Sequence, residues 1–162
     1  MHVVRSTERS VLVTRDVFRR GIRRVLAAVD LSGAAAPTLA SAQRFAHLIG
    51  AELRVVSVVE PFLTLADVRL AEDAARHYAL CEEVLQRDIW PLVTAPSAEK
   101  VVRYGRAAET LLQEAATWRA DVLVVGSKAT AQLGSVTERL LNEAPMSLLV
   151  IPTPGQERRA SR

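Results

Sequence analysis

Five short apolar runs, separated by stretches with helical spacing, set the terms on which this chain can fold. The run "RVLAAVD" (residues 24–30) is continuously apolar, as a strand covered on both faces must be. Leu31, Ser32 and Gly33 break it, after which Ala35, Leu39, Ala42, Ala46 and Ile49 recur at helical spacing and Gly50 supplies a stop. "ELRVVSVVEP" (52–61) reads as a second strand ended by proline. The stripe Leu70, Ala74, Tyr78, Cys81 and Leu85 predicts a long helix from Ala66 to about Trp90. A third strand is expected over 99–105. A helix follows with Ala108, Leu111, Leu112, Ala115 and Trp118 on one side. The remaining expectations are a strand over 121–126, a helix over 135–144 and a last strand over 146–152. Each connection is long enough for a right-handed crossover, so the α/β pattern predicts an open, doubly wound parallel sheet with helices on both faces. Ligands of such sheets bind beyond the carboxyl ends of the strands, at the switch point. The loops after Asp30, Val59 and Gly126 are therefore the ones to inspect.

The first 23 residues stand outside this alternation. "RSVLVTRD" (9–16) reads as an extra strand, followed by the polar connector "VFRRGIRR". Ser10-Val11-Leu12-Val13 also resembles Ser147-Leu148-Leu149-Val150, although apolar strands often look alike. The chain divides into a basic N-terminal extension (1–23), an α/β body (24–152) and a flexible basic tail (153–162).

Charge narrows the partners. The net charge is +3, but residues 1–24 carry seven arginines against Glu8 and Asp16, and residues 153–162 carry three against Glu157. The part between is therefore mildly acidic, with no basic stripe interleaved with aromatics, which argues against nucleic-acid binding. A salt-sensitive contact between the basic arm and an acidic protein partner is expected instead. No apolar run approaches the ~18 residues of a membrane span, and the N-terminus lacks a signal-peptide core. With Cys81 as the single cysteine, a cytoplasmic location is expected.

Several chemistries find no support. There is no G-x-G-x-x-G after the first strand and no Walker pattern. His2, His47 and His77 fall on different elements, so neither a triad nor a closed metal site is suggested. His77 and Cys81 share a helix face, but Cys81 lies on the apolar stripe and reads as packing. Two features remain. Asp30 ends the first strand at the crevice, where a carboxylate can accept from adenine or ribose and Ser32 can cap the helix; simple turn punctuation explains both residues equally well. The second is "VLVVGSKATAQLGSVTERLL" (122–141). Here a strand turns at Gly126 and a helix restarts after Gly134, with Ser127 and Lys128 between them. Ser135 is expected to be the N-cap, with Glu138 completing a capping box.

Taken together, "RRVLAAVDLS", "AELRVVSVVEP", "ADVLVVGSK" and "LGSVTERLLNEAPMSLLVIP" resemble the universal stress protein family over residues 24–152. The resemblance implies a five-stranded sheet of order 3-2-1-4-5 and homodimers along the last strand, through Leu148, Leu149, Val150 and Ile151. An apolar edge of that kind would otherwise invite aggregation. It further implies a regulatory or stress-response module and no enzyme. The nucleotide-binding branch of the family has glycine, two residues, glycine, nine residues, then glycine with Ser or Thr. Gly126 matches the first position and Gly134-Ser135 the last, whereas Ala129 replaces the middle glycine and only four residues separate it from Gly134. Asp30 and Val58 match the adenine side. The adenine half is thus intact and the phosphate half damaged, which implies weak or absent nucleotide binding. No resident cofactor is expected, ATP or AMP being the ligands left open. The alternative is an accessory or scaffold subunit docking onto a membrane or multi-protein assembly through the arm. An adenylating enzyme would want a histidine-bearing signature or an intact glycine loop, and the sequence has neither.

Overall fold

The computed structural model describes residues 9–15, 21–61, 70–128 and 134–153, the side chains of 70–72 and 128 excepted. The order is β1 (Val11–Val13), β2 (Arg24–Val29), α1 (Ala35–Ile49), β3 (Glu52–Val59), α2 (Leu70–Val84), β4 (Glu99–Tyr104), α3 (Ala107–Trp118), β5 (Val122–Lys128), α4 (Ser135–Glu143) and β6 (Ser147–Thr153). The strands form one sheet in the order β1-β6-β5-β2-β3-β4. β2 pairs in parallel with β3 and β5, β3 with β4, and β5 with β6.

The expectation of five strands, all parallel, needs a correction. The sheet has six strands and is mixed, because β1 lies antiparallel against β6, with Val11 opposite Val150, Leu12 opposite Leu149 and Val13 opposite Leu148. The last strand is therefore not an edge. An apolar strand such as β6 demands a hydrogen-bonding neighbour, and the chain's own N-terminal strand is that neighbour. A dimer through Leu148, Leu149, Val150 and Ile151 would have to displace it.

Alternation along the strands produces two cores. Val25, Ala27 and Val29 of β2 face one side, where they meet Ala35, Leu39 and Ala42 of α1. Leu26 faces the other, with Leu111 and Ala115 of α3 and Leu140 of α4. β1 joins both, Leu12 packing on the first core and Val13 on the second. Small residues on α1 and α3 allow the helices to lie close on the sheet, consistent with the low aromatic content of 4%. Gly50 ends α1 in the left-handed conformation (φ 66°), and its N–H donates to the His47 carbonyl at 3.2 Å.

The long helix expected from Ala66 to about Trp90 is helical over its described part but changes pitch before its end. α2 runs over Leu70–Val84, then widens into one π turn (Leu85–Ile89) and tightens into a 3₁₀ turn (Trp90–Leu92); residues 66–69 lie outside the described part. Pro91 cannot donate to a continuing helix, and the change of pitch turns Leu85, Ile89 and Trp90 together into the core. Thr153, expected to open the tail, is instead buried in β6; residues 154–162, the rest of that expectation, are outside the described part. Among the described residues no helix is long and apolar enough to cross a membrane.

Candidate ligand-binding cleft

The sheet reverses its direction of growth between β2 and β5: the chain moves outward through β3 and β4, then returns to the far side of β2. Backbones diverge at such a point and leave a crevice at the carboxyl ends. A cleft of about 290 Å³ opens there, at the lower end of the range for ligand sites. Its walls come from the ends of β2, β3 and β5 and from the first turns of α1, α3 and α4.

Six of the seven residues singled out from sequence line this cleft: Asp30, Val58, Gly126, Ser127, Gly134 and Ser135. The seventh, Lys128, closes β5 opposite Thr153, and its side chain is outside the described part. So are residues 129–133, and with them the expectation about Ala129 and the shortened spacer.

Local chemistry fixes each wall. Asp30 is exposed, and its Oδ1 accepts from the Ser32 N–H at 3.0 Å and the Ser32 hydroxyl at 2.5 Å. The Ser32 hydroxyl in turn accepts from the Ala34 N–H at 3.2 Å. These bonds knit the turn between β2 and α1 and hold the carboxylate at the mouth of the cleft. Ser32 does not cap α1, whose N-cap position is Ala34 without a side-chain bond.

β5 does not turn at Gly126. It continues through Ser127 and Lys128, paired with Ile151, Pro152 and Thr153. Gly126 is glycine for a packing reason. A Cβ there would sit 2.5 Å from Thr38 Oγ1 and 3.3 Å from Thr153 Cγ2. Neither neighbour is loose: the Thr38 hydroxyl donates to the Ala34 carbonyl at 2.7 Å, and that of Thr153 donates to the Ser127 carbonyl at 3.0 Å.

Ser135 is not the N-cap. Gly134 occupies that position in extended geometry (φ −60°, ψ 148°), its carbonyl accepts from the Glu138 N–H at 2.9 Å, and no side chain caps the helix. Glycine serves nearly as well as serine at an N-cap, so the helix starts one residue early in register and the capping box does not form. Ser135 is instead an exposed first-turn residue on the cleft wall, beside the positive end of α4.

Sequence reasoning missed three contributors. Thr38 and Thr137 are buried polar residues on the wall, and Thr137 Oγ1 lies 3.5 Å from the Gly126 carbonyl. Their signal was a hydroxyl beside an apolar stripe, which also fits any helix surface. Glu60 accepts from the Ala107 N–H at 2.9 Å and so fixes the start of α3; nothing in its spacing announces that. Away from the cleft, the Cys81 sulfur lies 3.7 Å from His77 Nε2, and burial pushes its thiol pKa up. Among the described residues no group of three or more ligating side chains is placed to hold a metal ion.

A family model described as the universal stress protein family matches residues 21–152. A Thermus aquaticus protein, the universal stress protein in the QAH/OAS sulfhydrylase 3′ region, is 28% identical over 132 residues, covering 78% of this chain and 96% of its own length. Among solved structures, the universal stress protein UspA from Lactobacillus plantarum superposes with a TM-score of 0.68 at 24% identity, covering 81% of this chain and 98% of its own. A universal stress protein crystallised in complex with cAMP superposes with a TM-score of 0.56 at 17% identity, covering 81% and 97%.

Proposed function

The chain belongs to the universal stress protein family, and from that premise we propose a stress-response module that binds and does not transform, its cleft taking adenine nucleotides weakly and with one phosphate at most. The observation that carries this reading is the composition of the wall. Asp30 is the one titratable residue among the described residues that line the cleft; the other polar side chains are the hydroxyls of Thr38, Ser127, Ser135 and Thr137. Hydroxyls, one carboxylate and apolar walls suit orientation of a small ligand. Acid–base chemistry wants positioned side chains within reach of the substrate, and among the described wall residues Asp30 stands without a titratable partner.

Asp30 and Val58 would take the nucleoside, and Ser127, Ser135 and the start of α4 a single phosphate. The small volume supports a nucleoside monophosphate over a triphosphate. The cAMP complex of the 17%-identical universal stress protein is consistent with a ligand of that size. A cytoplasmic address accords with the single free Cys81. The scaffold alternative loses support because Val11–Val13 of the arm are taken up in the sheet.

Calorimetry with adenosine, AMP, cAMP and Mg-ATP tests this. AMP or cAMP should bind with Kd of about 100 μM, roughly −5.5 kcal/mol, and Mg-ATP no more tightly. Ser135→Ala should weaken AMP while leaving the melting temperature almost unchanged, since the hydroxyl caps nothing. Low-micromolar binding of Mg-ATP would overturn the single-phosphate reading, and silence toward all four compounds would remove the ligand from it.

A further inference from the structure

The phosphate end of the cleft and the docked arm meet on one helix. α4 is nine residues long, Ser135–Glu143, and its first turn brings Ser135, Val136 and Thr137 to the cleft wall. Its last turn meets the arm. There the Arg15 guanidinium donates to the Leu141 carbonyl at 2.8 Å, where a helix end leaves carbonyls without helical partners. The Arg15 N–H donates to Ser147 Oγ at 2.9 Å, and the Ser147 hydroxyl donates back to the Arg15 carbonyl at 3.4 Å. One residue of the arm thus grips both α4 and the start of the strand that follows it.

Between its ends α4 is seated by Leu140 and Leu141, which are buried in the core it shares with α3. At the cleft end the hold is slight. No side chain caps the helix, Val136 is only partly buried, and Thr137 Oγ1 lies 3.5 Å from the Gly126 carbonyl, beyond the usual length of such a bond. A helix is stiff, so a tie at one end steers the other. At 1.5 Å per residue, Ser135 lies about 7.5 Å along the axis from Leu140, and a tilt of about 8° there displaces it by about 1 Å. A shift of that size breaks a hydrogen bond to a phosphate oxygen. The opposite wall leans on the arm too. β1 pairs with Leu148, Leu149 and Val150 of β6, and farther along that strand the Thr153 hydroxyl donates to the carbonyl of Ser127, a cleft residue.

We propose that Arg15 is a positioning residue for the phosphate of the cleft's ligand: the docked arm sets the tilt of α4, and a bound phosphate in turn holds the arm in place. Linkage requires the second half once the first is granted. The element with two states is β1, whose three paired residues open at less cost than the inner strands. The proposal rests on the reading of the cleft as a nucleotide site and concerns its phosphate half alone. Asp30 and Val58, on the nucleoside side, lie beyond β5 from the arm.

Nuclear magnetic resonance titration of the full chain with adenosine and with AMP separates the two halves. Arg15→Ala should weaken AMP by roughly fivefold, a usual size for coupling between sites, and leave adenosine unchanged. Arg15→Lys, which keeps a donor for the Leu141 carbonyl, should recover most of the loss. A residue that only stabilised the fold would lower the melting temperature and leave both affinities alone. The reciprocal effect is read on the unaltered chain by amide exchange: saturating AMP should slow Val11–Val13, and saturating adenosine should not. Equal AMP affinity in the three chains, or exchange of Val11–Val13 that ignores AMP, overturns the proposal and leaves the reading of the cleft standing. An equal loss of adenosine and AMP in Arg15→Ala also overturns it, since the arm would then act on the whole cleft. Adenosine bound and AMP refused by the unaltered chain would remove the phosphate subsite, and the role of Arg15 with it. Silence toward both compounds would overturn the cleft reading itself.

Discussion

Gly126 shows how a single residue can be legible for the wrong reason. In sequence it marks a phosphate-approach loop, where glycine serves by conformational freedom. In the structure it sits inside a strand, and the missing Cβ makes room for Thr38 and Thr153, two bonded, β-branched side chains. Overpacking a site of this kind costs about 1–3 kcal/mol. Gly126→Ala should therefore lower the melting temperature by roughly 3–10 °C in a domain of this size, with or without ligand, as followed by circular dichroism. An unchanged melt would mean that Thr38 yields. Glu114 is a second residue whose meaning lies in distant partners. It is only 5% exposed, and its two oxygens accept from Arg54 at 2.9 Å and Arg103 at 2.7 Å. Arg54 also stacks over Trp118 at 4.6 Å. The helical stripe of α3 was readable; the pair of arginines awaiting a carboxylate within it was not, because they come from two other strands.

At the scale of elements, the outer half of the sheet is held differently from the centre. α2 is exposed or half-buried from residue 73 to 84, and the chain is anchored in the core after it, by Leu85 and Ile89 of the π turn and Trp90 of the 3₁₀ turn. Toward β4 it is tied by side chains: Tyr78 packs edge-on against Tyr104 at 4.9 Å between ring centres, and the Tyr104 hydroxyl donates to the Glu82 carboxylate. That hydrogen bond, followed by burial and then by the negative charge of Glu82, raises the Tyr104 pKa above the ordinary value of about 10. The sign follows from which form the fold favours. The protonated phenol is stabilised, so the contribution is complete below pH ~10 and disappears as pH rises through the raised value. In a Tyr78→Phe background, ultraviolet titration should find Tyr104 ionising above pH ~10, and Glu82→Gln should bring the midpoint down. A midpoint that ignores the Gln substitution would separate Tyr104 from Glu82 in solution.

Across the whole molecule, stability should follow the sheet order. β2 and β5 lie inside, with strands on both sides and helices on both faces, whereas β4 and the three-residue β1 are the outer strands. β4 carries Glu99, Lys100 and Arg103, charges that discourage a further strand from adding to its edge. β1 has no such run and is held by a short ladder and Arg15. Local opening is easiest where few bonds and little apolar surface must be given up. Amide hydrogen exchange should find Val11–Val13 exchanging faster than Val122–Val125 by a factor on the order of 100 or more. Equal protection in the two segments would make β1 part of the global folding unit.

The sequence by itself determined the alternation of strand and helix, the two-faced burial of the sheet, the location of the cleft at the strand ends, and six of the residues on its wall. These are matters of local period: a continuous apolar run needs cover on both faces, and a 3.6-residue stripe needs one. The tertiary structure alone decided that the arm closes the edge of β6, that Gly126 makes room for two threonines, that Gly134 and not Ser135 opens α4, and that Glu114 is matched by two arginines. Each of these depends on which distant side chain arrives within bonding distance, and a local pattern of hydrophobicity holds no record of that.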